Sequence, residues 1–549
     1  MADAPTDTGA ARLVEALERL GVDLAFGLPG VHNLSIWKAL SRSTIRLVGV
    51  RHEQAAVYAA DGFARTTGRL GVALVTTGPG AANTLGATGE AMASGSPVLV
   101  IATDIPTVLR RDGVYRGVLH ETRDQTAMFR PVTKAAGRVD SAGEIGPAVL
   151  ASGSLARCAA SGPVYLGVPT DLLAHQAPAL AETVPASGAD AVPNPEECNR
   201  AAVLLSTAER PLIWAGGGAL RADAGAVVGE LGLGLAAPVI TTYASRGLLA
   251  PEHPCAVPGP VHAPEVGALW DEADVVLAIG TDFDGMMTQN WLMPRAPTMI
   301  AINVDAADAN KNYACDLTLV GDARAVLEEL APRVSRRSGL AELQRRLASI
   351  ASEVTASVAA DDEQAAAFLE IMERVLPADA VVVADMCIPG YWLAGYRQVP
   401  LPRKLAYPVG WGTLGFAFPA SLGAGLAGEG PTICVTGDGG FLFACGELAT
   451  VAEARIPVTI VLVDDGGYGM LRFDQTQAGD EPFGVDLVRP DFAALASAFG
   501  LTAITVDGFG AGFEGALARS VAGDGPQMIV VNAALTPPPT TSPRWYRRR

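Results

Sequence analysis

The 549-residue sequence predicts an α/β protein made of three doubly wound domains. Three observations lead to that expectation. Short apolar runs alternate with stretches of helical spacing along most of the chain. One stretch, Pro431 to Met470, reads as a complete βαβ unit. Two segments of different character divide the chain: Ala174 to Pro195, rich in Ala, Pro and acids, and Arg333 to Glu363, charged and Ala-rich. The domains are therefore expected over 1–180, 190–345 and 360–549.

The βαβ unit organises the rest. Apolar Thr432 to Thr436 leads into Gly437-Asp438-Gly439-Gly440, and a helix-like segment follows from Phe441 to about Arg455. A second strand-like run, Val458 to Val463, ends in Asp464-Asp465-Gly466-Gly467-Tyr468-Gly469. A right-handed crossover makes the strands parallel and puts both carboxyl ends on one sheet edge, where open α/β sheets bind ligands. Turn glycines let the backbone approach a phosphate, and the next helix offers unpaired N–H groups. Two carboxylates and a turn carbonyl suit a hard cation such as Mg²⁺.

Composition narrows the function classes. Apolar residues make up 49% of the chain and charged residues 18%, which describes a large buried core rather than a disordered chain. The net charge of −18 argues against nucleic acid or an anionic membrane as partner. The seven cysteines contain no CxxC, so neither a zinc site nor a disulfide framework is expected, and a cytoplasmic location follows as the simple reading. The acidic start, Met1 to Pro5, lacks a signal-peptide core, and no long apolar run suggests a membrane span.

In chain order, Leu13, Val14, Leu17 and Leu20 mark a helix from Thr8 to Leu20, stopped at Gly21. A strand (Val22 to Gly27), a turn at Leu28-Pro29-Gly30, a helix (Leu34 to Leu40) and a strand (Ile45 to Val50) follow. Arg51 to Arg65 is a helix rich in small residues, as close helix packing requires. Glu53, at its start, complements the helix amino end; His52 reads as a packing or orienting group. Ser96 to Ala102 is a buried strand, and Gly162 to Asp171 closes the first domain. In the middle domain the strands are Pro211–Ala215, Val239–Thr241, Val275–Ile279 and Met299–Val304. Gly216-Gly217-Gly218 departs from GxGxxG and reads as a packed turn. The last domain holds a strand at Ala380 to Asp385, the turn Gly410 to Ala420, a helix capped by Pro490-Asp491 with Leu495, Ala498 and Phe499 on its apolar face, and a final strand at Met528 to Val531. A Pro-rich, basic tail ends the chain.

Together, Gly437-Asp438-Gly439 and the later Asp464-Asp465 resemble the fingerprint of thiamine diphosphate (ThDP) enzymes, in which GDG is followed, one helix and one strand later, by a pair usually written Asn-Asn. RHEQAAVYAADGFARTTGRLGVALVTTGPGAANTL resembles the amino-terminal domain of the acetolactate synthase, pyruvate oxidase and benzoylformate decarboxylase group. Gly410 to Ala420 is similar to that family's G-x-(L/M)-G-F-x-x-P-A. The resemblance covers nearly the whole chain and implies the ThDP-binding fold. It implies that Asp438, Asp465 and the Gly467 carbonyl bind Mg²⁺. Gly437, Gly439, Gly440, Tyr468, Gly469 and the Met386-Cys387 loop would then surround the diphosphate, and Pro79, Asn83 and Thr413 would lie against the cofactor. By the same resemblance Glu53 hydrogen-bonds N1′ of the aminopyrimidine, the Gly412 carbonyl accepts its 4′-amino group, Leu414 is the wedge that bends the cofactor, and Met470 lines the acceptor pocket. Glu53 of one chain would meet the cofactor of another, so a homodimer or homotetramer is implied.

His120 to Lys134 resembles the FAD-independent acetolactate synthases, with His120 matching the family His. Glu121 stands where that family has Gln. An acid there would repel a 2-oxo acid unless protonated or paired, with Arg123 as one partner. FAD is disfavoured, because Thr281 to Gly285 lacks the arginines of the RFDD-type segment. The implied reaction is decarboxylation of a 2-oxo acid, pyruvate first, followed by coupling to a carbonyl acceptor. A non-coupling decarboxylase, an aldehyde or hydroxyketone lyase, and a non-catalytic ThDP-binding partner subunit are the alternatives.

Overall fold

The computed structural model describes residues 7–111, 113–181, 194–523 and 525–539. Met1 to Pro5, most of the Ala174–Pro195 segment and the basic end of the tail lie outside those residues. Three parallel α/β sheets form the frame. The first holds β1 (Leu24–Gly27), β2 (Arg46–Gly49), β3 (Gly71–Val75), β4 (Val98–Asp104), β5 (Ala135–Arg138) and β6 (Val164–Pro169), in the order β2-β1-β3-β4-β6-β5. The second holds β7 (Pro211–Ala215), β8 (Val239–Thr241), β9 (Val275–Ile279), β10 (Thr298–Asn303) and β11 (Leu317–Val320), ordered β11-β10-β9-β7-β8. The third holds β12 (Val381–Ala384), β13 (Leu405–Ala406), β14 (Thr432–Gly437), β15 (Val458–Asp464), β16 (Thr502–Asp507) and β17 (Gln527–Asn532), ordered β13-β12-β14-β15-β17-β16.

In each sheet the chain builds outward to one side and then to the other. The reversal leaves a crevice between β1 and β3, between β7 and β9, and between β12 and β14. Ligands of open parallel sheets bind in such crevices, beyond the carboxyl ends of the strands. Central strands are buried on both faces, so they read as unbroken apolar runs: Val98 to Ala102 and Ile460 to Leu462 are fully enclosed. The chain forms two compact units. One comprises Met1–Ala189, Trp411–Gly428 and Phe443–Val458; the other comprises Asp190–Gly410, Glu429–Leu442 and Thr459–Arg549. Each has its own apolar core.

Several elements differ from expectation. The helix expected from Phe441 is two: Asp438–Leu442 begins three residues earlier, and Leu448–Ala454 follows a 3₁₀ turn at Cys445–Glu447. Glu447 is drawn aside to accept the backbone N–H groups of Arg51 (2.9 Å) and His52 (3.0 Å). The Phe492–Ala498 helix buries Phe492 and Ala496, with Leu495 partly covered, while Ala498 and Phe499 face solvent. Asp491 caps it as expected, accepting from Ala494 N at 2.8 Å. The glycines after β7 form a packed turn: a methyl group on Gly218 would stand 2.7 Å from Gly280 Cα. Among the described residues no helix is long and apolar enough to cross a membrane. None of the seven cysteines forms a disulfide.

Candidate active site

At the β1/β3 crevice, Glu53 opens the Glu53–Thr67 helix and is buried. His52 caps that helix through Nδ1, which accepts Gln54 N at 3.2 Å. Gly78 (φ 64) turns the chain out of β3 into the short Pro79–Ala82 helix. Asn83 then donates Nδ2–H to Glu53 Oε2 at 3.0 Å. A methyl group on Gly80 would stand 2.6 Å from Thr76 Cγ2 and 3.3 Å from Glu53 Oε1, so the glycine lets the turn lie close to Thr76 and the carboxylate.

His120, itself at φ 65, presses its backbone on the same turn: a methyl on Gly78 would stand 3.0 Å from the His120 carbonyl carbon. Gln125 holds the turn from below, its Oε1 accepting Gly78 N at 2.6 Å while its amide donates to Thr103 O and the Tyr165 hydroxyl. Glu121 is turned into its own loop. Its Oε2 accepts from Arg116 N (3.0 Å) and Val118 N (2.9 Å), and it forms no ion pair with Arg123. Backbone donors therefore meet the charge that the sequence left unbalanced.

The turn carrying Gly412 and Leu414 is anchored within the same unit. Trp411 lies on Gly89, where a methyl would stand 2.7 Å from ring atom Cε3. Thr413 donates to Glu90 Oε2 at 3.1 Å. Glu90 and Asp61 both pair with the buried Arg65, at 3.0 and 2.7 Å, and the Arg65 guanidinium covers the Phe416 ring at 4.6 Å. Leu414 is half-buried at the tip of this turn.

At the β12/β14 crevice, Asp438 directly follows β14, and Asp465 directly follows β15, which ends on Asp464. Burial, then the neighbouring charge of Asp465, pushes Asp438 up to about 7. Burial also raises Asp465, with Arg472 opposing. Asp438 Oδ2 is enclosed without a hydrogen-bond partner. An orphaned, crowded carboxylate oxygen is what a cation would satisfy. The Gly467 carbonyl comes to this corner: a methyl on Gly439 would stand 3.5 Å from it and 2.7 Å from the Tyr468 ring. A methyl on Gly469 would stand 3.0 Å from Asp465 Cγ. Among the described residues no three His, Cys, Asp or Glu side chains gather as a metal site, so a cation here would use two carboxylates, a carbonyl and ligand oxygens.

Asp464 faces Arg489 at 3.4 Å, which meets the extra charge at that Asn position. Gly437 and Gly440 flank Asp385, whose Oδ2 accepts Thr436 Oγ1 at 3.1 Å and would lie 2.6 Å from a Gly440 methyl. Met386 and Cys387 lie between this carboxylate and the Ile388–Tyr396 helix; burial and Asp385 push the Cys387 thiol well above its usual range. Met470 packs against the core at the start of the Gly469–Ala478 helix. Sequence reasoning missed Asp385, Gln125, Glu90 and Glu447. Each is a buried polar residue serving backbone or another side chain, a role without local spacing to reveal it.

Sequence models of the thiamine pyrophosphate enzyme family match three stretches: its N-terminal TPP binding domain over residues 7–128, its central domain over 198–330 and its C-terminal TPP binding domain over 387–531. A probable 2-ketoarginine decarboxylase of Pseudomonas aeruginosa is 36% identical over 512 residues, 90% of this chain and 89% of its own. A probable acetolactate synthase large subunit of Methanocaldococcus jannaschii is 31% identical, covering 90% of this chain and 87% of its own. The acetolactate synthase isozyme 3 large subunit of Escherichia coli is 31% identical, covering 91% and 90%. With both crevices built as described and all three domains matched, the chain belongs to the thiamine pyrophosphate enzymes, in the acetolactate synthase-like group.

Proposed function

We propose that the protein decarboxylates a 2-oxo acid with ThDP and Mg²⁺ and couples the product to a second carbonyl compound, as acetolactate synthases do. The observation that carries this reading is Glu53, a buried carboxylate at a helix start whose side-chain partner is the neutral Asn83. Binding of the cofactor alone would not need an acid at N1′. Bound ThDP would supply the electron sink that loss of carbon dioxide requires. The chain's residues do the rest. Glu53 holds a proton at N1′ of the aminopyrimidine, beside Pro79 and Asn83. The Gly412 carbonyl accepts the 4′-amino group, Leu414 sets the bend, and Thr413 fixes both through Glu90.

Asp438, Asp465 and the Gly467 carbonyl hold Mg²⁺. Gly437, Gly439 and Gly440 admit the diphosphate against the backbone, with Met386, Cys387, Tyr468, Gly469 and Met470 around it. His120 faces the substrate. Glu53 would serve a cofactor held by another copy, which makes the active protein a homodimer or homotetramer. Seven cysteines without a disulfide favour a reducing, cytoplasmic setting. FAD forms no part of the proposal, since Thr281 to Gly285 lacks the arginines of the RFDD-type segment.

A second reading, decarboxylation without coupling, is favoured by the similarity to a protein named as a probable 2-ketoarginine decarboxylase. A panel of 2-oxo acids, including pyruvate and 2-ketoarginine, assayed with ThDP and Mg²⁺ for carbon dioxide and for coupled products, tests both. Carbon dioxide with a hydroxyketone or hydroxy-oxo acid supports the first reading, and free aldehyde alone supports the second. No turnover of any 2-oxo acid overturns both and leaves an aldehyde or hydroxyketone lyase or, if no hydroxyketone is turned over either, a non-catalytic partner subunit.

A further inference from the structure

The loop after β1 carries a side chain to which the reading above gives no role. His32 lies in the β1/β3 crevice, between Val31 and the buried Asn33. The loop is fixed. Asn33 Oδ1 accepts Gly30 N at 2.8 Å, and its Nδ2 donates to Leu28 O at 3.0 Å. Thr170, just beyond β6, donates its hydroxyl to the His32 carbonyl. The imidazole is held by none of these. Its Nδ1 is buried without a partner, and so is Nδ1 of His120. The two rings meet edge to face with centroids 5.2 Å apart. A third orphan, Thr76 Oγ1, lies in the same crevice. A methyl on Gly30 would stand 2.6 Å from that oxygen, and a methyl on Gly80 would stand 2.6 Å from Thr76 Cγ2 and 3.3 Å from Glu53 Oε1. The His32 loop, Thr76 and Glu53 therefore form one continuous wall.

We propose that His32 is a substrate-binding residue which, with His120, receives the carboxylate of the 2-oxo acid; this rests on the decarboxylation reading above. Burial and the neighbouring His120 lower the affinity of His32 for a proton, which keeps it a neutral donor. Each ring offers at least one N–H, so the two together can meet both carboxylate oxygens. A neutral donor at His32 also suits the chemistry. Negative charge leaves the carboxylate as carbon dioxide forms, so a fixed cation would stabilise the substrate more than the transition state.

The test uses the full-length protein reconstituted with ThDP and Mg²⁺, as wild type, His32→Ala and His32→Gln. Two quantities are read: hydrogen–deuterium exchange at C2 of bound ThDP without substrate, and kcat and KM for the 2-oxo acid that wild type decarboxylates fastest. His32→Ala is expected to raise KM by about ten- to a hundredfold, the loss of one hydrogen bond to a charged group. C2 exchange should stay within about twofold of wild type, because the acid at N1′ is untouched. His32→Gln, which keeps an N–H, should recover much of the KM. An unchanged KM in His32→Ala overturns the proposal. So does an equal loss in both variants together with collapsed C2 exchange, which would make His32 a structural residue. If His32→Ala does not fold, His32→Phe, which keeps a ring and loses the N–H, takes its place: a KM raised about tenfold or more with normal exchange supports the pairing, and a smaller change in KM or a collapsed exchange refutes it. Wild-type C2 exchange without release of carbon dioxide from any 2-oxo acid is a different signature and removes the decarboxylation reading itself, and this assignment with it.

Discussion

Gly62 stands in the middle of the Glu53–Thr67 helix, where the Ala417–Ala427 helix crosses it. A methyl group there would lie 2.7 Å from the Ala420 carbonyl carbon and 3.0 Å from its Cα. From the other side, a methyl on Gly423 would lie 2.8 Å from the Ala59 carbonyl carbon and from Phe63 N. Comfortable carbon contacts begin near 3.5 Å, and the obstructing atoms are backbone, which cannot rotate away. Gly62→Ala must therefore part the helices by about 1 Å, at an over-packing cost of about 1–3 kcal/mol. Backbone on both sides puts the cost at the upper end, about 3 kcal/mol. Helix propensity works in the opposite direction, since Ala is better than Gly by about 1 kcal/mol. The net expectation is about 2 kcal/mol of destabilisation, a fall of roughly 4–8 °C in the melting temperature of a unit this size. Gly512→Ala is the control. It sits in the Ala511–Val521 helix, and a methyl there meets nothing closer than Val506 Cγ1 at 3.8 Å. It should stabilise by up to about 1 kcal/mol. Thermal melts of the two variants should move in opposite directions. A Gly62→Ala protein as stable as wild type would show that the helix crossing is not a backbone contact.

Three further perturbations probe the site. Glu53→Gln should leave ThDP binding largely intact and slow C2 proton exchange by about 10²-fold or more, whereas unchanged exchange removes Glu53 from the chemistry. Asp438→Ala should abolish the response of activity and of ThDP retention to added Mg²⁺, while Asp465→Asn keeps activity with altered Mg²⁺ affinity. If Asp438→Ala loses no more than the exposed Asp480→Ala, the metal assignment is wrong. Burial raises the Glu447 carboxyl above its usual range despite three hydrogen bonds that oppose it, from Thr450, Arg51 and His52. Its contribution to stability is thus complete below the unfolded carboxyl range, about 4.3, and is lost as pH rises through its folded pKa. Measured against Glu447→Gln, wild type should lose relative stability as pH climbs from about 4 towards neutrality, and a flat difference would refute the shift.

What could be read from the sequence follows from how locally each feature is encoded. Buried parallel strands such as Val98 to Ala102 are continuous apolar runs, and glycine turns such as Gly437 to Gly440 announce themselves, so the sheets and the turns at their carboxyl ends were legible. The exposed edge strand Thr502–Asp507 shows no such run and was not seen. The Phe441 helix was misjudged because its break depends on Glu447 serving the backbone at Arg51 and His52, almost 400 positions away. The charge of Glu121 looked unbalanced because its partners are the N–H groups of Arg116 and Val118, which composition does not reveal. The Phe492 helix was misplaced in phase because a short helix has too few turns for its apolar face to be unambiguous.

One consequence of the packing ties the two halves of the proposed chemistry together. Glu53 begins a helix of 15 residues, and Asp61 and Arg65 lie two and three turns further along it. Arg65 gathers Asp61 and Glu90 and stacks on Phe416, and Glu90 holds Thr413. The acid and the turn bearing Leu414 are thus set by one rigid element and by one buried charge cluster. Such a cluster adds little net stability compared with apolar packing, because both carboxylates and the guanidinium lose their hydration. Its value lies in orientation: an apolar contact would allow the turn to slide, whereas a two-pronged Arg65–Asp61 pair and a directed Thr413–Glu90 bond do not. Glycines at 62 and 423 allow the helix backbones to close to the distance at which those bonds form. The small residues of the Glu53–Thr67 helix and its charges are therefore two parts of one device, which fixes the acid proposed to serve another copy's cofactor relative to the wedge proposed to bend this chain's own.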